Sequence, residues 1–90
     1  MIKLTQGYVG QFSGMHFDNA VINLEEVKET SNGKSFYFLV ENGSPDLRNG
    51  DPVYRFSHYI DNSILSQVFS DKTDVEIATE IVTLLSQPDA

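Results

Sequence analysis

The sequence predicts a single α+β domain over residues 1–90. An antiparallel sheet of about four to five strands lies within residues 1–60, and two C-terminal helices, about 62–70 and 74–86, pack on one face. Two observations carry this. All six glycines and the turn-forming dipeptides fall before Asp61, among aromatic and β-branched runs. After Asp61 there is no glycine, and apolar residues recur at helical spacing. A strand-rich half followed by a helix-rich half is the pattern of the α+β class. The length suits one domain, since domains run to roughly 100–150 residues.

Ile2 and Leu4 alternate with Lys3 and Thr5, the period of a strand with two unlike faces. Gly7, Gly10 and Gly14 interrupt Tyr8, Val9 and Phe12, which predicts a bent or bulged strand. Residues 15–29 resume as a strand. Asn32-Gly33 predicts a tight hairpin turn, because both residues tolerate positive φ. Ser35 to Glu41 is the returning strand. With that turn, Val27 faces Phe38 and Glu25 faces Val40. Ile22 and Leu24 share a phase that Val27 breaks, and one extra residue at Glu25-Glu26 restores a single apolar face. The pattern therefore predicts a β-bulge there.

Residues 42–52 are nearly all turn formers, with Asn49-Gly50 as a secondary turn. Val53 to Ile60 alternates: Tyr54, Phe56, His58 and Ile60 on one face, Arg55, Ser57 and Tyr59 on the other. Asp61 or Asn62 caps the first helix, whose apolar stripe is Ile64, Leu65, Val68 and Phe69. Thr73-Asp74-Val75-Glu76 is a capping box that opens the second. Its expected buried face is Ile77, Ala78, Ile81, Val82, Leu84 and Leu85, with Pro88 beyond its end.

Composition excludes several function classes. There is no cysteine, which removes disulfides, Cys-ligated zinc, iron–sulfur clusters and thiol catalysis. The longest apolar run, Phe36 to Val40, is far short of the roughly 20 residues that span a bilayer. The N-terminus carries no apolar signal segment, so a cytoplasmic protein without a membrane partner is expected. The net charge of -7 opposes direct nucleic-acid binding, which neutralises phosphates with Lys and Arg.

The candidate chemistry is sparse. His16 and His58 match no metal-ligand spacing, and His58 shares the phase of Phe56 and Ile60, the position of a core or rim histidine. The glycines at 7, 10 and 14 lack the Lys and Ser/Thr of a phosphate loop. Asn42, Asp46, Asn49 and Asp51 fail the alternating pattern of a calcium loop, and Asx turns explain them. Ser57 precedes His58, but strand neighbours point to opposite faces and cannot form a nucleophile–base pair. No catalytic residue, metal or cofactor is expected, and the chain reads as a non-enzyme.

Charge is the remaining signal. Residues 61–90 hold six acidic residues against Lys72, a net of -5, and no basic residue follows Thr73. Asp71, Asp74, Glu76 and Glu80 are the expected partner-binding carboxylates, with Glu25, Glu26 and Glu29 as a second acidic group on a twisted sheet edge. Tyr37 and Tyr59 are candidate interface anchors, since Tyr is enriched at hot spots. The expected function is a small acidic inhibitor of the phage anti-defence, toxin-immunity or nuclease-inhibitor kind. It would dock on a basic protein partner, such as a nucleic-acid-binding protein, by electrostatic steering. Two alternatives stand beside it. One is a homo-oligomeric structural or accessory protein, joined through an unpaired edge strand or the 62–70 helix. The other is a small-molecule-binding domain using Tyr8, Tyr54 and His58.

Overall fold

The computed structural model describes residues 1–12, 15–41 and 53–88. The expected calcium-loop residues 42, 46, 49 and 51, the Asn49-Gly50 turn, Gly14 and the side chain of Tyr54 lie outside the described residues.

Five strands and two helices follow one another: β1 (Ile2–Phe12), β2 (Met15–Glu29), β3 (Gly33–Glu41), β4 (Val53–Asp61), α1 (Asn62–Val68), α2 (Asp74–Leu85) and β5 (Ser86–Pro88). They form one sheet of order β4-β3-β2-β1-β5 with every neighbouring pair antiparallel. This is the expected α+β arrangement. The short β5 was not anticipated. It forms because Ser86 leaves the helix in an extended conformation and pairs with Phe12 of β1.

The β1–β2 hairpin is irregular where the glycines fall. Its register shifts three times between Lys3 and Gly10, and Gly7 has a φ of 67°. Asn19 of β2 is also left-handed, at 61°, a conformation that Asn tolerates better than most side chains. These kinks fold the far half of the hairpin back over the sheet. Phe12 of β1 then meets Phe56 of β4 at 4.7 Å between ring centres, although two strands separate them in sheet order. Phe38 stacks on Phe56 at 4.8 Å, completing an aromatic cluster.

The β-bulge sits where the sequence placed it. Leu24 pairs with Phe38 and Glu26 with Tyr37, so Glu25 is the extra residue. It returns Val27 to the face of Ile22 and Leu24, opposite Phe36. The turn beside it differs from expectation. The observed pairs are Glu29 with Lys34 and Val27 with Phe36, a connection wider than Asn32-Gly33 alone. Thr30 organises it: its N–H donates to the Gly33 carbonyl at 2.8 Å, and its hydroxyl oxygen accepts from Gly33 N–H at 3.0 Å. Neither Asn32 nor Gly33 has positive φ. Gly33 is needed for a different reason. A Cβ there would lie 2.2 Å from the Ile60 carbonyl oxygen and 2.7 Å from Asp61 Cα. Glycine lets β4 approach the turn.

Both helices pack on the core face of the sheet, α2 against β1 and β2, α1 against β3 and β4. Asp61 caps α1 by accepting from Ile64 N–H at 3.0 Å. The predicted α1 stripe is only partly used. Phe69 is buried just past the helix and Leu65 packs on the core, but Ile64 and Val68 are exposed. On α2, Ile77, Ala78, Ile81 and Val82 are buried as expected, whereas Leu84 is 77% exposed. The chain turns into β5 after Leu85, and this leaves the last turn of α2 without a surface on the Leu84 side.

Candidate functional site

The fold brings the two expected acidic groups partly together. The connection between β2 and β3 places Lys34 opposite Glu29, and α2 starts directly over it. Lys34 Nζ lies 3.0 Å from Asp74 Oδ1 and 3.5 Å from Glu29 Oε1. The hydrogen bond to Asp74 is the main reason that the Lys34 ammonium is held above its ordinary 10.5. The pairing therefore stabilises the fold fully below that value and is lost as pH rises through the shifted one. Asp61 joins the same end of the molecule, because it pairs with Gly33. Asp71 lies in the turn three positions before Asp74, Glu76 lies in the first turn of α2, and both are exposed.

The expectation of an uncompensated acidic C-terminal segment is corrected by these contacts. No basic residue follows Thr73, yet Lys34 reaches Asp74 from forty positions earlier and Lys72 reaches Glu80 at 3.7 Å. Glu76 is engaged by its own backbone. It accepts from Thr73 N–H at 3.0 Å while the Thr73 hydroxyl oxygen accepts from Glu76 N–H at 3.2 Å. The bond from the Thr73 backbone is the largest cause holding the Glu76 carboxyl below its ordinary 4.5. Asp71 has no ion pair among the described residues.

Glu25 and Glu26 are elsewhere. They were expected on a sheet edge, but β2 is an interior strand. Their bulge turns both toward the helix-free face, where Glu25 meets Arg55 Nε at 3.4 Å and Glu26 meets Lys28 at 3.8 Å. Tyr37 lies on that face too, under Lys28 Nζ at 5.3 Å from the ring centre. Tyr59 is a diagonal neighbour of Tyr37 through the Tyr37–Ser57 and Ser35–Tyr59 pairs, and is 48% exposed. A shallow depression of about 240 Å³ is lined here by Glu25, Tyr37, Phe38, Arg55, Phe56 and Ser57. Neither histidine lines it. His58 is exposed, at the rim of the sheet rather than in the core.

Two residues missing from the expected site organise it, Lys34 and Arg55. Lys34 would have been found from the correct hairpin register, which sets it opposite Glu29. Its contact with Asp74 has no local signal. Among the described residues, no group of three His, Asp or Glu side chains comes together to hold a metal ion. Among them also, no helix is long and apolar enough to cross a membrane. Comparison with protein families, with curated proteins and with solved structures finds no match for this chain.

Proposed function

We propose that this chain is a small protein-binding module, of the inhibitor or immunity kind, that docks its acidic end on a basic surface of a partner protein. One observation supports the reading above the rest. Glu29, Asp61, Asp71, Asp74 and Glu76, from three separate parts of the chain, converge where the β2–β3 connection meets the start of α2. Lys34 is shared between two of these carboxylates, and Lys72 is engaged by Glu80. The end keeps an excess of negative charge after its internal pairs are made. Such a surface steers a cationic partner and sets its register.

The test uses carboxylates that hold no cap. Glu29 is 76% exposed in its side chain and Asp71 is exposed. The wild-type protein and the Glu29→Lys, Asp71→Lys double variant are immobilised, exposed to lysate of the native host at low salt, and eluted by a salt gradient. Retained proteins are identified by mass spectrometry. A basic protein held by the wild type, released by salt and absent from the variant is the expected result. The same retained set on both surfaces, indifferent to salt, would refute the proposal.

A further inference from the structure

The two edges of the sheet are not alike. The β5 edge is three residues long and ends in Pro88, which lacks an N–H to offer. The β4 edge is nine residues long and pairs with β3 in an unbroken register. Natural edges are commonly blunted by Lys, Pro, bulges or brevity. Within β4 there is no Lys, no Pro and no bulge. Its two charged residues are occupied, Arg55 by Glu25 and Asp61 by the cap of α1.

The orientation of its backbone follows from one hydrogen bond. Asn62 N–H donates to the Asn32 carbonyl at 2.8 Å. Antiparallel pairs alternate between bonded and non-bonded positions. The backbone groups of Phe56, His58 and Ile60 therefore turn inward to β3. Those of Arg55, Ser57 and Tyr59 turn outward, and no described strand receives them. Arg55, Ser57, His58 and Tyr59 are all exposed.

We infer that this edge is closed by the β4 strand of a second copy of the chain, antiparallel about a two-fold axis at Ser57, to give a continuous ten-stranded sheet. The strand is self-complementary in that register. On the helix-free face, Arg55 of each copy lies opposite Tyr59 of the other, a cation–aromatic pair made twice. On the core face, Phe56 lies opposite His58 twice. No like charges oppose each other. The net charge of -7 per copy does not prevent pairing, because the acidic ends point apart. Each Asp61 is four residues from the axis, so the two ends are separated by roughly 27 Å along the strands at about 3.4 Å per residue. That exceeds the screening length of about 8–10 Å in physiological salt. Two-fold pairing of identical surfaces is the commonest form of assembly.

The test is the oligomeric state by size-exclusion chromatography with light scattering over a wide concentration range. Three variants accompany the wild type, and circular dichroism verifies their fold. Ser57→Pro removes an N–H that points away from β3, so the ladder within the chain is preserved while two bonds across the axis are lost. Ser57→Lys sets two ammonium groups against each other at the axis. A wild-type dimer is expected that high salt leaves intact. Ser57→Pro weakens it roughly thirtyfold, the equivalent of about 2 kcal/mol. Ser57→Ala leaves it unchanged. A wild type that stays monomeric at every concentration overturns the inference. So does a dimer insensitive to folded Ser57→Lys, which carries the test alone should Ser57→Pro fail to fold. Insensitivity to salt separates this outcome from that of the acidic docking end, whose contacts are screened.

Discussion

Gly33 offers a sharp test of how the β2–β3 connection is built. In a tight Asn-Gly turn, both residues take positive φ, and replacing either by Ala costs stability through backbone strain. The structure assigns them different roles. Asn32 has no positive φ, and its carbonyl accepts from Asn62 N–H, a bond that Ala retains. Asn32→Ala should therefore change stability by no more than about 0.5 kcal/mol, the range of ordinary surface substitutions. Gly33→Ala would set a methyl 2.2 Å from the Ile60 carbonyl oxygen. Both nearest obstacles are backbone atoms of β4, so no side-chain rotation relieves the contact. The strand must retreat by about 1 Å to restore ordinary contact, lengthening the Asn62–Asn32 hydrogen bond and disturbing the cap of α1 as it moves. Overpacking of this kind costs about 1–3 kcal/mol. For a domain of this size that is a fall in Tm of roughly 5–15 °C. Urea denaturation followed by circular dichroism on both variants gives the comparison. A large loss in Asn32→Ala with little change in Gly33→Ala would refute the close-approach argument and restore the tight turn.

Thr73→Ala should cost about 1 kcal/mol by removing one half of the capping box, measured by urea denaturation at neutral pH. The Glu76 carboxyl is held below its ordinary 4.5 by the Thr73 N–H. The stabilisation it gives is therefore present above pH 4.5 and lost as pH falls through the lowered value. The stability difference between wild type and Glu76→Gln should accordingly close on acidification, and a difference constant with pH would contradict the box. On the same helix, Leu84→Lys should lie within about 0.5 kcal/mol of wild type. Ile81→Ala should cost about 2–5 kcal/mol. Equal losses at the two positions would show that the last turn of α2 is covered.

The parts of the fold that follow local rules were legible in the sequence. The capping box, the Asp61 cap, the glycine-kinked first strand and the bulge at Glu25 each depend on a few adjacent residues, and each is observed. The hairpin register differs from the one that Asn32-Gly33 predicts, because Thr30 closes the connection and Gly33 serves a strand that arrives some 27 positions later. The position of the bulge is unaffected, since the register differs by two residues and a shift of two leaves every side chain on its own face. Leu84 was assigned to the buried face by its spacing. Helical periodicity states which residues share a side but not where the neighbouring surface ends.

The acidic site shows the same limit in electrostatic form. Counting charge by segment made residues 61–90 appear uncompensated, because each charge was credited to its own stretch of chain. Ion pairs obey distance in space. Among the described residues, Lys28, Lys34, Arg55 and Lys72 all face carboxylates, and Lys34 joins two elements that sequence separates by forty positions. Each exposed pair adds about 0–1 kcal/mol to stability, so these contacts matter less for holding the fold than for deciding which charges remain outward. Glu25, Glu26 and Glu80 are each matched by one cation of the chain itself. Glu29 and Asp74 divide a single lysine, Asp61 and Glu76 spend part of their hydrogen-bonding capacity on caps, and Asp71 has no ion pair among the described residues. The surplus is thus located at one end of the molecule rather than along one helix, and charge reversal at Asp71 and Glu29 tests it where reversal at Glu80 would mostly break an internal pair.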